Sequence, residues 1–121
     1  MGLTERREHS RTRVEWPASM ATARGLVEGL VKNISLGGAL IQSLELPNPE
    51  ETSRLRIEIP EHGHAVVSTA TVVRLEVAAG DSFVYELGVR LLEISDKDRL
   101  TLNNAILYNV HTGSGKSRVS F

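Results

Sequence analysis

Hydrophobic positions recur with a two-residue period along most of the chain, the pattern of strands that bury one face. From Arg11 the alternation sets Val14, Trp16, Ala18 and Met20 on one face and Arg13, Glu15, Pro17 and Ser19 on the other. Pro17 has no backbone N–H, so it predicts an edge position or a bulge in this strand. A second strand is predicted over residues 25–32 and a third over 39–44. They are joined by Asn33-Ile34-Ser35-Leu36-Gly37-Gly38, whose residue types suit a tight turn with positive φ and accessible backbone N–H groups. After a loop at 47–53, residues 54–59 alternate cleanly, with Leu55, Ile57 and Ile59 inward. A turn at 60–64 leads into a fifth strand over 65–77, where Val67, Thr69, Thr71, Val73, Leu75 and Val77 read as one face and Arg74 points outward. A further turn at 79–82 precedes a sixth strand over 83–92, with Phe83, Tyr85, Leu87, Val89 and Leu91 in phase.

The period then changes. Ser95 is a candidate helix N-cap, with Asp96 and Asp98 in the first turn, where the helix dipole favours negative charge. Leu102, Ala105 and Ile106, with Tyr108 or Val110, form a short apolar stripe. Such a short helix depends on tertiary packing, against one end of the strands or a partner protein. Six strands with short connections followed by one helix predict an all-β fold, an antiparallel barrel or sandwich with a short C-terminal helix. At 121 residues there is room for one domain. Residues 1–10 are expected to form a flexible basic arm, 11–111 the folded body and 112–121 a polar tail.

Composition narrows the chemistry. The chain has no cysteine, which excludes thiol nucleophiles, disulfides and Cys-ligated metal sites. No apolar run approaches the roughly 18 residues of a membrane span, and the N-terminus lacks the apolar segment of a secretory signal. The expectation is a cytoplasmic protein without membrane insertion. The net charge is −1, but Arg6, Arg7, Arg11 and Arg13 fall within eight positions. So small an excess cannot coat a polyanion, whereas a small anion needs only a few placed guanidinium groups.

Enzyme and metal motifs fail on their own terms. Gly115-Lys116-Ser117 imitates the end of a phosphate-binding loop, but Val110 occupies the required upstream glycine position. His62 and His64 flank Gly63 without further placed ligands, so no metal is expected there. Asn33-Ile34-Ser35 fits the glycosylation pattern, which has no use without secretion. No carboxylates pair as acid and base, and Ser35 has no His or Asp partner evident in sequence. The five aromatics (two Phe, two Tyr, one Trp) mostly follow the inward alternation, so a stacking platform for a nucleic-acid polymer is not expected.

Two segments remain to be explained. Arg7-x-x-x-Arg11 is followed some twenty residues later by Asn33-x-Ser35-x-x-Gly38. Together they resemble the two-part signature of the PilZ domain, the bacterial receptor module for cyclic di-GMP. The exit Gly37-Gly38-Ala39-Leu40-Ile41 agrees with it. So does Gly88-Val89-Arg90-Leu91, similar to the family's Gly-Val-x-Phe with Leu91 in place of the aromatic residue. The resemblance runs from about Glu5 to Tyr108.

The resemblance implies a six-stranded antiparallel β-barrel with a C-terminal helix, with no enzymatic activity, no metal and no cofactor beyond the regulatory ligand. It implies that cyclic di-GMP binds between the arginine segment and the barrel, at Arg6, Arg7, Arg11, Asn33, Ser35 and Gly38. Guanidinium forks suit phosphate oxygens and the O6 and N7 of guanine, which fits Arg7 and Arg11. Asn33 is expected on a guanine edge, and Ser35 on a phosphate or base or bracing Asn33. Gly38 is expected to permit the turn and close approach of the ligand. Arg6 beside the motif resembles family members that take a stacked pair of ligands. Arg13, Trp16 and Arg74 are left open, Trp16 fitting the core better than a stacking role.

The expected function is a receptor or adaptor whose arginine arm orders on the ligand and signals to a protein effector, as a monomer or weak homodimer. The alternative is a ligand-independent PilZ-like interaction domain of motility or pilus machinery.

Overall fold

The structure, a computed structural model, describes residues 11–47, 52–60, 63–77 and 84–109. The expected arm with Arg6 and Arg7, the tail and His62 lie outside them. Six strands are followed by one helix: β1 (Thr12–Thr22), β2 (Gly25–Ile34), β3 (Gly38–Ser43), β4 (Thr52–Ile59), β5 (His64–Val77), β6 (Tyr85–Ile94) and α1 (Asp96–Tyr108). The strands close a barrel in the order β1-β2-β3-β6-β5-β4, each neighbouring pair antiparallel. Closure removes sheet edges, so Pro17 does not mark one. It follows a register shift between Arg13 and Trp16 and precedes Ala18, the first β1 residue paired with β4.

The inward face of the alternation becomes the core. Trp16, Met20, Leu55, Ile57, Ile59 and Leu87 are among the largest fully buried side chains, each stabilising the fold by roughly 1.5–3 kcal/mol. Trp16 is 1 % exposed, which assigns it to the core.

Two strands break their own alternation. In β2, Val31 and Ile34 are both buried although three residues apart. Val31 pairs with Ile41 and Asn33 with Leu40, which leaves Lys32 as an extra residue. With the bulge β2 continues through Asn33 and Ile34, two residues beyond the end that the turn-type residues from Asn33 suggest. In β5 the expected single face is corrected: Val66, Ser68, Ala70 and Val72 are buried, not Val67, Thr69, Thr71 and Val73. Val72 pairs with Val89 and Arg74 with Gly88, so Val73 is the extra residue and the phase inverts there. Beyond it Arg74 points outward, as expected, while Leu75, opposite the inward Leu87, and Val77 are both exposed rather than part of a buried face. Both phases of β5 carry β-branched residues, so sequence alternation alone could not choose between them.

Ser95 caps α1: its side chain accepts a hydrogen bond from Asp98 N at 3.1 Å. Asp98 Oδ2 in turn accepts from Val67 N at 3.1 Å, which ties the helix to β5. Leu102 and Ala105 join the core and Ile106 packs against it, whereas Tyr108 is 49 % exposed and lies off the stripe. Among the described residues no helix is long and apolar enough to cross a membrane.

Candidate functional site

The bulge at Lys32 has a local consequence. Keeping Ile34 in the core while adding one residue turns Asn33 to the outer surface, as bulges near binding sites commonly do. Across β1 its partner is Arg13, also exposed. Lys32 and Glu15, both within the irregular stretch, form an ion pair at 3.1 Å.

Immediately before β1, Arg11 Nη1 donates a hydrogen bond to Asn33 Oδ1 at 2.9 Å. The two motif halves, 22 residues apart, therefore meet. This bond uses one of five guanidinium N–H donors and leaves the Asn33 NH₂ available. Arg11 is exposed and Asn33 half-buried, so both can be reached from solvent.

The turn after Asn33 is braced by its own serine. Ser35 N donates to Gly38 O at 2.9 Å, Ser35 Oγ donates to the same oxygen at 3.4 Å, and Gly37 N donates to Ser35 Oγ at 3.3 Å. Ser35 thus holds the turn rather than Asn33, and the N–H groups of 35 and 37 are engaged rather than open. The expectation of positive φ at the paired glycines is also corrected. Among the described residues the glycines with positive φ are Gly25 and Gly63. Gly38 is required for another reason: a Cβ there would stand 2.6 Å from the Val89 carbonyl oxygen. Its bare Cα lets β3 lie close against β6, where Gly38 pairs with Arg90.

The register extends the outer surface beyond the motif. Asn33 pairs with Leu40, Leu40 with Gly88, and Gly88 with Arg74. A row therefore runs Arg13, Asn33, Leu40, Gly88, Arg74 across five strands. Arg13, Arg74 and Arg90 have no hydrogen-bond or ion-pair partner among the described residues, unlike Arg56, which pairs with Glu58 at 2.9 Å. Sequence alone left Arg74 open because its place depends on register, and it missed Arg90. The glycine of Gly88-Val89-Arg90 was the available signal.

The arrangement is an outward-facing donor surface whose guanidinium groups at 13, 74 and 90 have no partner among the described residues, suited to a small anion carrying acceptor-rich bases. A separate open cleft of about 450 Å³ beside the start of α1, lined in part by Arg54, Val67, Glu93 and Asp98, mixes both charges. No group of three or more His, Asp or Glu able to hold a metal occurs among the described residues, and His64 is exposed at the start of β5.

In fold the chain is similar to the inhibitor of motility MotI/DgrA of Bacillus subtilis, with a TM-score of 0.74 and 24 % identity over 88 % of this chain and 51 % of that one. It is similar also to the PilZ domain of YcgR from Escherichia coli, solved with c-di-GMP, with a TM-score of 0.74 and 14 % identity over 94 % of this chain and 99 % of that one. A PilZ domain of CeSA from a cellulose-synthesizing bacterium gives a TM-score of 0.54 and 16 % identity, covering 85 % of this chain and 99 % of that one. The chain spans 51 % of MotI/DgrA and 50 % of the longer YcgR chain solved in complex with c-di-GMP. No curated protein matches it in sequence. A family model for the PilZ domain, whose members are non-enzymatic cyclic di-GMP receptors, matches residues 5–108, and the chain belongs to that family.

Proposed function

We propose that this domain binds cyclic di-GMP on the outer face of the β1–β2–β3 corner and reports the ligand to a protein effector, in motility control or a related process. The observation that carries the reading is the Arg11–Asn33 hydrogen bond at 2.9 Å, which brings the donors of the two motif halves together at the start of the β1–β2 ladder. In this reading Arg7 and Arg11 take phosphate oxygens and guanine O6 and N7, since only a guanidinium presents that fork. Asn33 offers its NH₂ to a guanine edge. Ser35 and Gly38 act through the turn: the serine fixes the corner's shape, and the glycine allows a close approach.

Arg6 adds a cation beside the motif, and this supports a stacked ligand pair, whose concentrated phosphate charge needs the extra offset. Binding of the dianion clamps the segment carrying Arg6 and Arg7 to the barrel, and the effector distinguishes the clamped from the open surface. The similarity in fold to MotI/DgrA and to YcgR supports motility machinery as the setting.

Calorimetric titration of the purified chain with cyclic di-GMP tests the site. The expected result is saturable binding of two ligands per protein, lost by at least about tenfold in both Arg7→Ala and Arg11→Ala, since each removes charge-assisted bonds. Unchanged affinity in both variants would reject the site, and one ligand at saturation would reject the stacked pair. A folded wild-type chain that does not bind leaves the ligand-independent interaction domain as the reading.

A further inference from the structure

We infer that Arg74 is a ligand-contacting residue at the far end of the outer row, where its guanidinium stacks on a guanine base. This rests on the cyclic di-GMP reading above and assigns the part of the surface that the two motif halves do not reach.

Three observations lead there. First, a bulge at Val73 turns Arg74 outward, just as the bulge at Lys32 turns out Asn33. Without that extra residue the phase that buries Val66, Ser68, Ala70 and Val72 would put position 74 in the core. Second, Gly88 leaves the row's surface without a side chain beside Arg74. A Cβ at position 88 would stand 3.2 Å from Arg74 Cβ and 3.7 Å from its Nε, so the arginine side chain lies low over the glycine. Third, Arg74 has no hydrogen-bond or ion-pair partner among the described residues. No carboxylate of the described residues holds the folded-down side chain, which leaves its planar group facing the outer surface.

The neighbouring charges decide which part of the ligand it meets. Glu86 and Glu76 pair directly opposite each other two residues along the strands from Arg74 and Gly88, on the outer face, whereas Arg90 stands two residues from Gly88 in the other direction. A phosphate placed on the Glu76–Glu86 side of Arg74 would be repelled by both carboxylates and is better placed toward Arg90. A guanine base is not repelled: it offers a flat face to the guanidinium, and its N1–H and N2–H₂ are donors that carboxylates accept. Asn33 and Arg74 stand three strand spacings apart, about 14 Å at the usual inter-strand distance. A ligand with bases at both ends can bridge that span, with Leu40 and Gly88 as its low floor.

Affinity for cyclic di-GMP, measured by calorimetry on the full chain, tests the assignment through Arg74→Ala, Arg74→Lys, Gly88→Ala and Arg11→Ala, with thermal unfolding of each variant as the folding control. Arg74 is exposed, so its variants are expected to melt as the wild type does. Arg74→Ala is expected to bind about tenfold more weakly, the scale of one lost stacking contact. Arg74→Lys keeps the charge without the plane and is expected to remain as weak. Gly88→Ala pushes the arginine off its floor and is expected to weaken binding in the same direction. If Arg74→Ala binds within about twofold of wild type while Arg11→Ala has lost binding, the assignment is overturned and the receptor reading stands. Full recovery in Arg74→Lys overturns base stacking in favour of a charge contact. A folded wild-type chain that binds no cyclic di-GMP overturns both readings.

Discussion

β4 pairs with β1 over Ala18–Ala21 of β1 and with β5 over Thr52–Ile59 of β4 without a register shift. The sector that runs from β1 through β2, β3 and β6 back to β5 contains shifts in three of its four ladders. The regular seam has a single task. Its inward residues Leu55, Ile57 and Ile59 fill the core and its outward residues meet water. The irregular sector has two tasks, because it must close the same core while turning Asn33 and Arg74 to the outer surface. One extra residue in each of β2 and β5 reconciles them. In the proposed reading the regular seam serves the core alone and the irregular sector serves both core and ligand, and that division can be attacked from either side.

The largest effect is expected from the seam. Leu55→Ala removes a fully buried side chain and should cost about 2–5 kcal/mol in urea unfolding, while the fraction that stays folded binds cyclic di-GMP with wild-type affinity. A change in that affinity would show that the two sectors are coupled after all. Gly38→Ala should be intermediate and unlike Leu55→Ala in kind. Its new Cβ presses on the Val89 carbonyl, so about 1–3 kcal/mol of strain and a weakened ligand affinity are expected together. Wild-type stability in that variant would mean that β3 and β6 can move apart freely.

Smaller still, Ser95→Ala removes the α1 cap and should lower stability by about 1 kcal/mol with no effect on binding, since the helix start lies off the row. Glu15→Gln breaks an ion pair whose carboxylate is 72 % exposed. It should change the unfolding free energy by less than about 1 kcal/mol. A larger loss would mean that the pair holds the β1–β2 irregularity in place.

The regular seam was the easiest part to read from sequence. Arg54-Leu55-Arg56-Ile57-Glu58-Ile59 states its inward and outward faces residue by residue, and the structure follows it. The motif corner was legible as chemistry but not as geometry. The two-part signature names Arg11 and Asn33 as ligand residues, and their mutual bond depends on a bulge that no alternation announces. Gly38 was read as a turn glycine because paired glycines suggest positive φ. Its actual constraint, the Val89 carbonyl, belongs to a strand 51 residues further along the sequence and becomes visible only with the β3–β6 register. Arg74 shows the same limit. Its outward direction follows from sequence only by accident of phase: alternation assigns residues 66–72 to the wrong faces, and the extra residue at Val73 brings 74 back into agreement.

The central claim is that the irregular sector, rather than the regular seam or the cleft beside α1, receives the ligand. Backbone amide spectra of the ¹⁵N-labelled chain titrated with cyclic di-GMP address it directly. The account predicts the largest shifts at Asn33, Gly38, Leu40, Arg74 and Gly88, with Leu55 and Ile57 unmoved. Shifts gathered instead at Arg54, Val67 and Asp98, or none at saturating ligand, would contradict it.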